Sequence, residues 1–302
     1  GVNNVATGLQ ALYSNTTGNS NTANGYEALK SNTTGSNNSA FGISALYSNT
    51  SASYNTAIGH AALHLNTTGT TNTAAGYNSL YTNTTGYENV GLGVYALRLN
   101  TTGNFNTAVG TEALYNNNAS DNTAVGRRAL YYNTSGTNNT AVGRNTLATN
   151  TTGSYNTAVG RESLLANTTG ETNVAIGYES LKTNTTASNN TAVGYHALKF
   201  NTATANTACG MQALYENSTG IQNTASGMQC LSSNTTGSYN TGTGYRAFYL
   251  NTTGQMNTAV GSYALYSNSS GSQHCAFGKG ALQTNSTGSN NVAIGFEALN
   301  KN

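Results

Sequence analysis

The chain has 302 residues, only 7% of which are charged, and its formal net charge is +2. So few charges, distributed along the whole chain, argue against the basic patch that nucleic acids or acidic lipids require. No apolar run approaches the ~20 residues of a membrane helix, so we expect no membrane span.

A seventeen-residue sequence, residues 55–71, recurs along the whole chain. Its glycine occurs eighteen times, with a step of seventeen residues fifteen times and of sixteen residues twice. Nothing separates the copies, and such self-similarity dictates a repeat architecture. We therefore predict one solenoid array over residues 1–302, without a cap at either end. Each position of the repeat is named below after its residue in the 55–71 copy.

The repeat begins with a strand-like segment. The Asn55 position is Asn in seventeen copies and His274 in the other. The Thr56 position is mostly β-branched, as strands prefer. The Ala57 position accepts only Ala or Gly, so we expect it to pack against backbone. The Ile58 position is mostly apolar but also accepts Asn and Thr, which predicts an outer apolar stripe and not a deep core.

Two positions are nearly invariant in the next part of the repeat. The Gly59 position is glycine in every copy, for instance Gly25 and Gly42, which indicates a positive φ or a close approach of another segment. The Leu63 position is Leu except at Phe248, and we interpret it as the core anchor. The first members of this anchor column are Leu12, Leu29, Leu46 and Leu63.

The His64 position is tyrosine in eight of the eighteen copies, including Tyr13, Tyr47 and Tyr81. Such tyrosines either stack on the sugar rings of a glycan or form a ladder that stabilises the sheet face through cross-strand contacts. The ladder is the preferred interpretation, and glycan contact remains the alternative.

The Asn66 position is Asn in all eighteen copies. It opens an Asn-Thr-Thr-Gly segment that we predict to be a corner, ended by a positive φ at the Gly69 position. Aligned Asn side chains can form an amide ladder, each donating to the next, as in cross-β stacks. The asparagines assigned to this ladder include Asn15, Asn32, Asn49, Asn66, Asn83, Asn100, Asn133 and Asn150.

The same position reads Asn-x-Ser/Thr in fifteen copies, which is the N-glycosylation sequon. The candidate acceptors are Asn15, Asn32, Asn49, Asn66 and Asn83. The preferred alternative is that Asn and Thr serve the fold and produce sequons incidentally. A glycan requires an outward-pointing side chain and is therefore incompatible with an internal ladder. The neighbouring Thr68 column of Thr and Ser also suits an ice-binding surface.

Few residues in the sequence suggest chemistry. His60 and His64 have the spacing of a helical zinc pair, but we do not expect a helix here. The cysteines are three in number, occupy different repeat positions and form no CxxC pair. The glutamates are scattered singly, so no catalytic carboxylate pair is evident. We predict no enzyme, no metal site and no cofactor.

The repeat length sets the predicted fold. Seventeen residues are too few for two helices and a turn, and a β-branched, Gly-rich core opposes helix. We predict an all-β fold, a parallel β-solenoid (β-helix or β-roll) of eighteen coils, one per copy, each with two or three short strands. A coil spacing of ~4.8 Å would give a rod roughly 85 Å long.

Two segments, residues 173–181 and 291–299, resemble the β-roll heads of trimeric autotransporter adhesins. The whole unit, as in residues 190–198 with its Asn-Thr-Thr-Gly corner, is similar to repeats of bacterial surface fibres and phage tail-fibre-like proteins. The resemblance covers the entire chain. It implies a fibre, often trimeric, that is extracellular, on a cell surface or on a phage particle.

Our prediction is a non-catalytic structural protein, the shaft or protomer of an extracellular fibre. The alternatives are a glycan-binding shaft of an adhesin or tail fibre, and an ice-binding solenoid. The expected partner is the chain itself, through end-to-end stacking or through lateral or trimeric association, with surface glycans as the alternative. Gly1 falls at the Gly69 position and Asn302 at the Asn66 position, so we expect a longer array or end-to-end stacking.

Overall fold

The computed structural model describes residues 1–301 as an all-β protein. Asn302, which the sequence assigns to the Asn66 position, lies outside the described residues. The described part of the chain contains eighteen parallel strands and no helix, and it forms a β-solenoid of about 17 residues per turn. The predicted fold class is therefore confirmed. The chain divides into two compact units, residues 1–153 and the residues from Ser154 onward.

The first unit contains nine strands of three residues, each paired with the next in parallel. They are β1 (Val5–Thr7), β2 (Thr22–Asn24), β3 (Ser39–Phe41), β4 (Thr56–Ile58), β5 (Thr73–Ala75), β6 (Val90–Leu92), β7 (Thr107–Val109), β8 (Thr123–Val125) and β9 (Thr140–Val142). In β4 and β5, Thr56 is paired with Thr73, so equal repeat positions are in register. The sixteen-residue step keeps this register, since Thr107 pairs with Thr123.

The second unit repeats the arrangement with nine more strands. They are β10 (Thr157–Val159), β11 (Val174–Ile176), β12 (Thr191–Val193), β13 (Thr207–Cys209), β14 (Thr224–Ser226), β15 (Thr241–Thr243), β16 (Thr258–Val260), β17 (Cys275–Phe277) and β18 (Val292–Ile294). The other sixteen-residue step pairs Thr191 with Thr207. Each missing residue is therefore absorbed outside the strands.

Each coil contains one strand, not the two or three that we expected. The rest of the coil is turn, closed by hydrogen bonds such as that from Asn66 N–H to Leu63 O at 3.1 Å. These turns still bond to the following coil: Leu63 N–H donates to Ser79 O at 3.0 Å, and Leu65 N–H donates to Tyr81 O at 3.0 Å. Hydrogen bonding between neighbouring coils therefore extends beyond the three-residue strands into the turns.

Left-handed residues explain why the strands are short. In the 55–71 coil, Ala61 has a φ of 53°, Leu63 of 52° and Thr71 of 59°, besides the glycine at φ 129°. A left-handed L-residue costs roughly 1–2 kcal/mol. Burying a Leu side chain contributes about 2–3 kcal/mol, and the Leu63 side chain is fully buried. The burial gained at the Leu63 position therefore exceeds the backbone cost there.

The core of each coil is thin. Ala57, Ala62 and Leu63 are all completely buried, and the other anchor leucines named above are buried too. Ile58, in contrast, is 48% exposed. The side chains of one coil thus offer one large apolar group and two methyl groups to the interior, so the polar groups of the coil must be satisfied internally as well.

Glycine is favoured for different reasons at the Gly59 and Gly69 positions. At Gly59 the φ is positive, and a Cβ would also lie 2.7 Å from the carbonyl oxygen of Gly76. At Gly69 the predicted positive φ is wrong, because no glycine of this column adopts one. A Cβ there would instead meet Gly86 O at 2.2 Å and Asn66 Oδ1 at 2.6 Å. The Gly69 position is restricted by space, and Ala52 shows that local adjustment admits a methyl group.

Two coils carry glycine at the Ala57 position, and each follows a coil with a side chain larger than alanine at the Ala62 position. A Cβ on Gly91 would lie 2.7 Å from Ser79 Oγ, and one on Gly242 would lie 2.6 Å from Cys230 Sγ. Ser79 and Cys230 belong to the preceding coil in each case, at the Ala62 position. The Ser79 and Cys230 side chains occupy the space that the alanine methyl group fills elsewhere. Thr146, Ser163 and Ser180 precede Ala158, Ala175 and Ala192, so a larger neighbour at this position does not always exclude the methyl group.

We expect Gly91→Ala to lower the free energy of unfolding by about 1–2 kcal/mol, because overpacking forces a shift in the core. The double variant Ser79→Ala/Gly91→Ala restores the common Ala–Ala pair. Adding Gly91→Ala to the Ser79→Ala protein should therefore destabilise it much less than adding Gly91→Ala to the wild-type chain. Thermal melting of the four proteins of this cycle measures the coupling. Additive effects would show that the two positions do not compete for space.

Candidate functional site

Two columns of asparagine side chains run through the coils. At the Asn66 position, Asn66 Nδ2 donates to Asn49 Oδ1 at 3.0 Å and to Gly69 O at 2.9 Å. The next amide continues the pattern, since Asn83 Nδ2 donates to Asn66 Oδ1 at 2.8 Å. The asparagines that take part include Asn15, Asn32, Asn49, Asn66, Asn83, Asn100, Asn133 and Asn150. All but Asn15 are buried.

The Asn55 position forms a second column that uses the backbone. Asn55 Oδ1 accepts the backbone N–H of Asn72 at 2.9 Å. Asn55 Nδ2 donates to Gly69 O at 2.9 Å, the same carbonyl that Asn66 uses. Sequence reasoning anticipated aligned amides but not this shared acceptor. The signal was the pair of Asn positions, eleven residues apart in seventeen of the eighteen copies.

His274 replaces Asn in this second column and reproduces most of its bonding. The backbone N–H of His274 donates to Asn257 Oδ1 at 2.8 Å. Its ring Nδ1 accepts the backbone N–H of Asn291 at 3.3 Å, as an Asn Oδ1 does elsewhere. Burial lowers the pKa of the His274 imidazole, so the neutral ring that can accept this bond is favoured.

The buried amides argue against glycosylation at the candidate sequons. Asn32, Asn49, Asn66 and Asn83 are completely buried, and each amide nitrogen donates two hydrogen bonds. Asn15 is half-buried, and its Nδ2 donates to Gly18 O at 3.0 Å. A glycan on the buried nitrogens would remove a donor and has no path to solvent. The structure favours the alternative that these sequons are by-products of the fold.

The His64 position forms a column of stacked rings. The His64 ring lies between Tyr47 and Tyr81, with centroid distances of 5.0 and 5.1 Å. Tyr13 is 72% exposed, and the next residue in its column is Lys30. Stacked neighbours occupy the ring faces on which a sugar would lie. Where rings stack, as at Tyr47, His64 and Tyr81, the column therefore offers ring edges and hydroxyl groups to solvent, whereas no ring among residues 1–301 stacks on Tyr13.

The Ala61 position lies beside this column and carries most of the ion pairs. The densest group is in the second unit, where Glu179 pairs with Lys182 and Lys199, both at 2.7 Å. His196 Nε2 lies 3.2 Å from the same carboxylate, and Lys182 also pairs with Glu162 at 2.9 Å. Sequence reasoning treated the glutamates as isolated, because all the residues that meet here except Glu179 and Lys182 are seventeen or twenty positions apart.

The Glu179 carboxylate is held ionised. Burial alone would raise its pKa, but hydrogen bonds from Lys182, Lys199 and Tyr178 outweigh burial and lower the pKa to about 2. The adjacent His196 has a lowered pKa because of its burial, with Lys199 adding to the effect. The group is thus a compact ion-pair cluster between neighbouring coils.

We expect Glu179→Gln to lower the free energy of unfolding at pH 7 by about 1–3 kcal/mol, because two lysines lose their partner. Since the folded pKa of Glu179 lies below its ordinary value, its contribution is present above about pH 4.3. It is lost as the pH falls toward the folded pKa of about 2. Denaturation of both proteins across this range, with exposed Glu171→Gln as control, checks the expectation. If the free energies of unfolding of the wild-type chain and of Glu179→Gln differed by the same amount at pH 7 and at pH 2, the expectation would be contradicted.

The Thr67 and Thr68 positions differ in accessibility. Thr67 Oγ1 donates to Thr84 O at 3.0 Å in the next coil, whereas Thr68 is exposed. Other exposed members of the Thr68 column are Thr17, Thr34, Ser51, Thr85 and Thr102. The coil therefore presents a single file of hydroxyl groups at the regular coil spacing.

An apolar stripe and an arginine pair also reach the surface. In the first unit, Phe41, Ile43 and Ile58 are 40%, 50% and 48% exposed. Arg127 and Arg144 occupy the His60 position of adjacent coils and are both exposed. The charges are thus less evenly distributed than the composition suggested, although the patch is small.

The other chemistry-bearing residues lie apart. His60 stacks on Tyr77 at 5.3 Å, and His64 lies in the tyrosine column. The three cysteines are free thiols, and burial raises the pKa of Cys230 to about 12. Within residues 1–301, no group of three His, Cys, Asp or Glu side chains has metal-binding geometry, and neither unit contains a pocket.

The described residues also include no helix long and apolar enough to cross a lipid bilayer. No protein-family model matches the chain, and no curated protein matches it.

Proposed function

We propose that the chain is a structural protein, the shaft or protomer of an extracellular or cell-surface fibre, with no catalytic role. The observation that carries the proposal is the continuity of inter-coil bonding within each unit, in which the strand, the turns and two asparagine columns all connect neighbouring coils. The buried polar groups of a coil are directed along the stack rather than toward a pocket, and such an arrangement suits a load-bearing element.

Electron microscopy of the purified chain tests this proposal. We expect straight, unbranched rods of constant width. Compact globular particles would overturn it. Mechanical unfolding in a single-molecule experiment adds a second readout, because coils bonded along their whole contour should resist force and open one after another.

The exposed apolar stripe at the Ile58 position supports lateral association with a second copy of the chain. Its side chains recur once per coil, so a surface with the same period matches them best, and another copy supplies that period. We expect Ile58→Asp combined with Phe41→Asp to shift the sedimentation coefficient toward the monomer. Thr68→Asp, on a different face, is the matched control. An unchanged, self-associated species in the double variant would exclude this stripe as the contact.

Ice binding is a second candidate, favoured by the exposed Thr68 column. The column is one residue wide, which is a narrow surface for ordering water. Thermal hysteresis and inhibition of ice recrystallisation measure the activity directly, and the absence of both would remove this candidate.

Glycan binding by an adhesin or tail-fibre shaft is supported less, because the faces of the Tyr47 and Tyr81 rings that adjoin His64 are occupied by its ring. Replacing Tyr13, Tyr47 and Tyr81 with Ser separates the two roles of the column. Loss of glycan retention with unchanged melting would favour binding, and lower stability alone would favour structure.

A further inference from the structure

Adjacent coils place pairs of tyrosine rings face to face at the His64 position. In the first unit, the Tyr115 and Tyr131 centroids are 5.1 Å apart with an interplanar angle of 15°. In the second unit, Tyr249 and Tyr266 are 5.5 Å apart with an angle of 9°. All four side chains are half-buried. The backbone fixes the pairs, since Asn116 N–H donates to Tyr131 O at 3.1 Å in the next coil.

The surroundings hold these rings in place. Arg98 Nη1 donates to the Tyr115 hydroxyl at 2.6 Å, and the Arg128 guanidinium lies 5.2 Å from the Tyr131 ring centre. In the other pair, the Arg246 guanidinium lies 5.3 Å from the Tyr249 ring centre. Two phenols held in contact react as if at very high local concentration, with effective molarities of about 10⁵ M or more for well-oriented groups.

We propose that the Tyr115–Tyr131 and Tyr249–Tyr266 pairs are sites of oxidative dityrosine cross-linking, which joins neighbouring coils covalently. The co-reactant is hydrogen peroxide used by a haem peroxidase. Each phenol loses one electron and one proton to the oxidant and becomes a phenoxyl radical. The two radicals form a carbon–carbon bond between their ortho carbons, and both rings regain aromaticity by moving the ortho proton to oxygen. One peroxide is reduced to two waters, and the protein loses two hydrogen atoms.

The most exposed tyrosines lack this arrangement. Tyr13 and Tyr54 are 72% and 65% exposed, and neither has a ring partner among the described residues. Radicals formed there can couple only with another chain, at a rate that falls on dilution. The inference does not depend on the fibre proposal, since the pairs lie within one chain.

Treatment of the dilute full-length chain with a peroxidase and hydrogen peroxide tests the proposal. Trypsin cleavage after Arg98, Arg127, Arg128 and Arg144 separates Tyr115 from Tyr131. A cross-link between them therefore joins residues 99–127 to residues 129–144. We expect this product by mass spectrometry, two hydrogens lighter than the sum of its peptides. Its yield per chain should be unchanged on tenfold dilution, and it should exceed cross-links at Tyr13 by about tenfold or more.

Two variants sharpen the test. Tyr131→Phe keeps the ring but lacks the phenol, and it should abolish the cross-link in the first unit while leaving that of Tyr249 and Tyr266. His64→Tyr should create a new cross-link between position 64 and Tyr47 or Tyr81. Products dominated by Tyr13 or Tyr54, or absence of the Tyr115–Tyr131 product in the wild-type chain, would overturn the proposal even if a variant failed to fold.

Discussion

Replacing Asn66 with Asp is expected to lower the free energy of unfolding by about 3–5 kcal/mol, because an uncompensated charge is buried. The Asn66 amide nitrogen donates to Asn49 Oδ1 and to Gly69 O, and the side chain is completely buried. A carboxylate oxygen in the same place would face these two acceptor oxygens and would have no hydrogen atom to donate to either of them. Acidification should recover part of the loss, since a protonated carboxyl can donate one of the two bonds.

Asn37→Asp is the matched control for this change. Asn37 lies in the same unit, is exposed and has a φ of 58°, a conformation that Asp also tolerates. Its effect should stay within about 0.5 kcal/mol. Thermal melting measures both variants, and hydrogen exchange shows whether the coils next to residue 66 open first. Equal effects of the two substitutions would mean that the buried amides do not hold the coils together.

Gly261→Ala is expected to destabilise the second unit by about 3 kcal/mol or more. The φ of residue 261 is strongly unfavourable for alanine, and the added Cβ would clash with the backbone of the next coil. Gly261 has a φ of 132°, and a Cβ would lie 2.5 Å from Gly278 O and 2.6 Å from Gly278 C. Those atoms belong to the next coil and cannot move away without breaking the register. We therefore expect local unfolding of the neighbouring coils, visible as a lower melting temperature and faster hydrogen exchange.

Gly280→Ala is the matched control in the same unit. Its φ is 66°, and a Cβ would meet only flexible side-chain atoms, at 3.1 Å from Gln283 and 3.2 Å from Glu297. Seventeen residues earlier, Tyr263 adopts a similar φ of 59° without being glycine. The control should change stability by less than about 1 kcal/mol in either direction. A loss as large as that of Gly261→Ala would refute the backbone requirement at the Gly59 position.

Periodicity made the fold class predictable, whereas the coil geometry was not. Eighteen glycines in step and the small size of the Ala57 position predict stacked coils, whichever residues fill the surface. The left-handed Leu63 could not be anticipated, because leucine normally avoids that conformation and its use depends on burial supplied by neighbouring coils. For the same reason, a coil of two or three strands was expected where turns with left-handed residues leave room for only one.

Alignment of the copies placed Tyr115 and Tyr131 in one column, so the tyrosine ladder could be predicted. The ion pair of Glu179 and Lys199 could not, because these residues are twenty positions apart and occupy two different columns. That the Ala61 and His64 positions form adjacent columns became evident only from the structure. The shared Gly69 carbonyl needed atomic geometry, because sequence identifies an invariant amide but not its acceptor.

Immunogold electron microscopy of the cells that make this chain tests the fibre proposal most directly. Antibodies raised against the purified repeat array should label filaments outside the cell envelope, with gold particles along their length. Gold confined to the cell interior, or labelled material that is not filamentous, would contradict an extracellular fibre function.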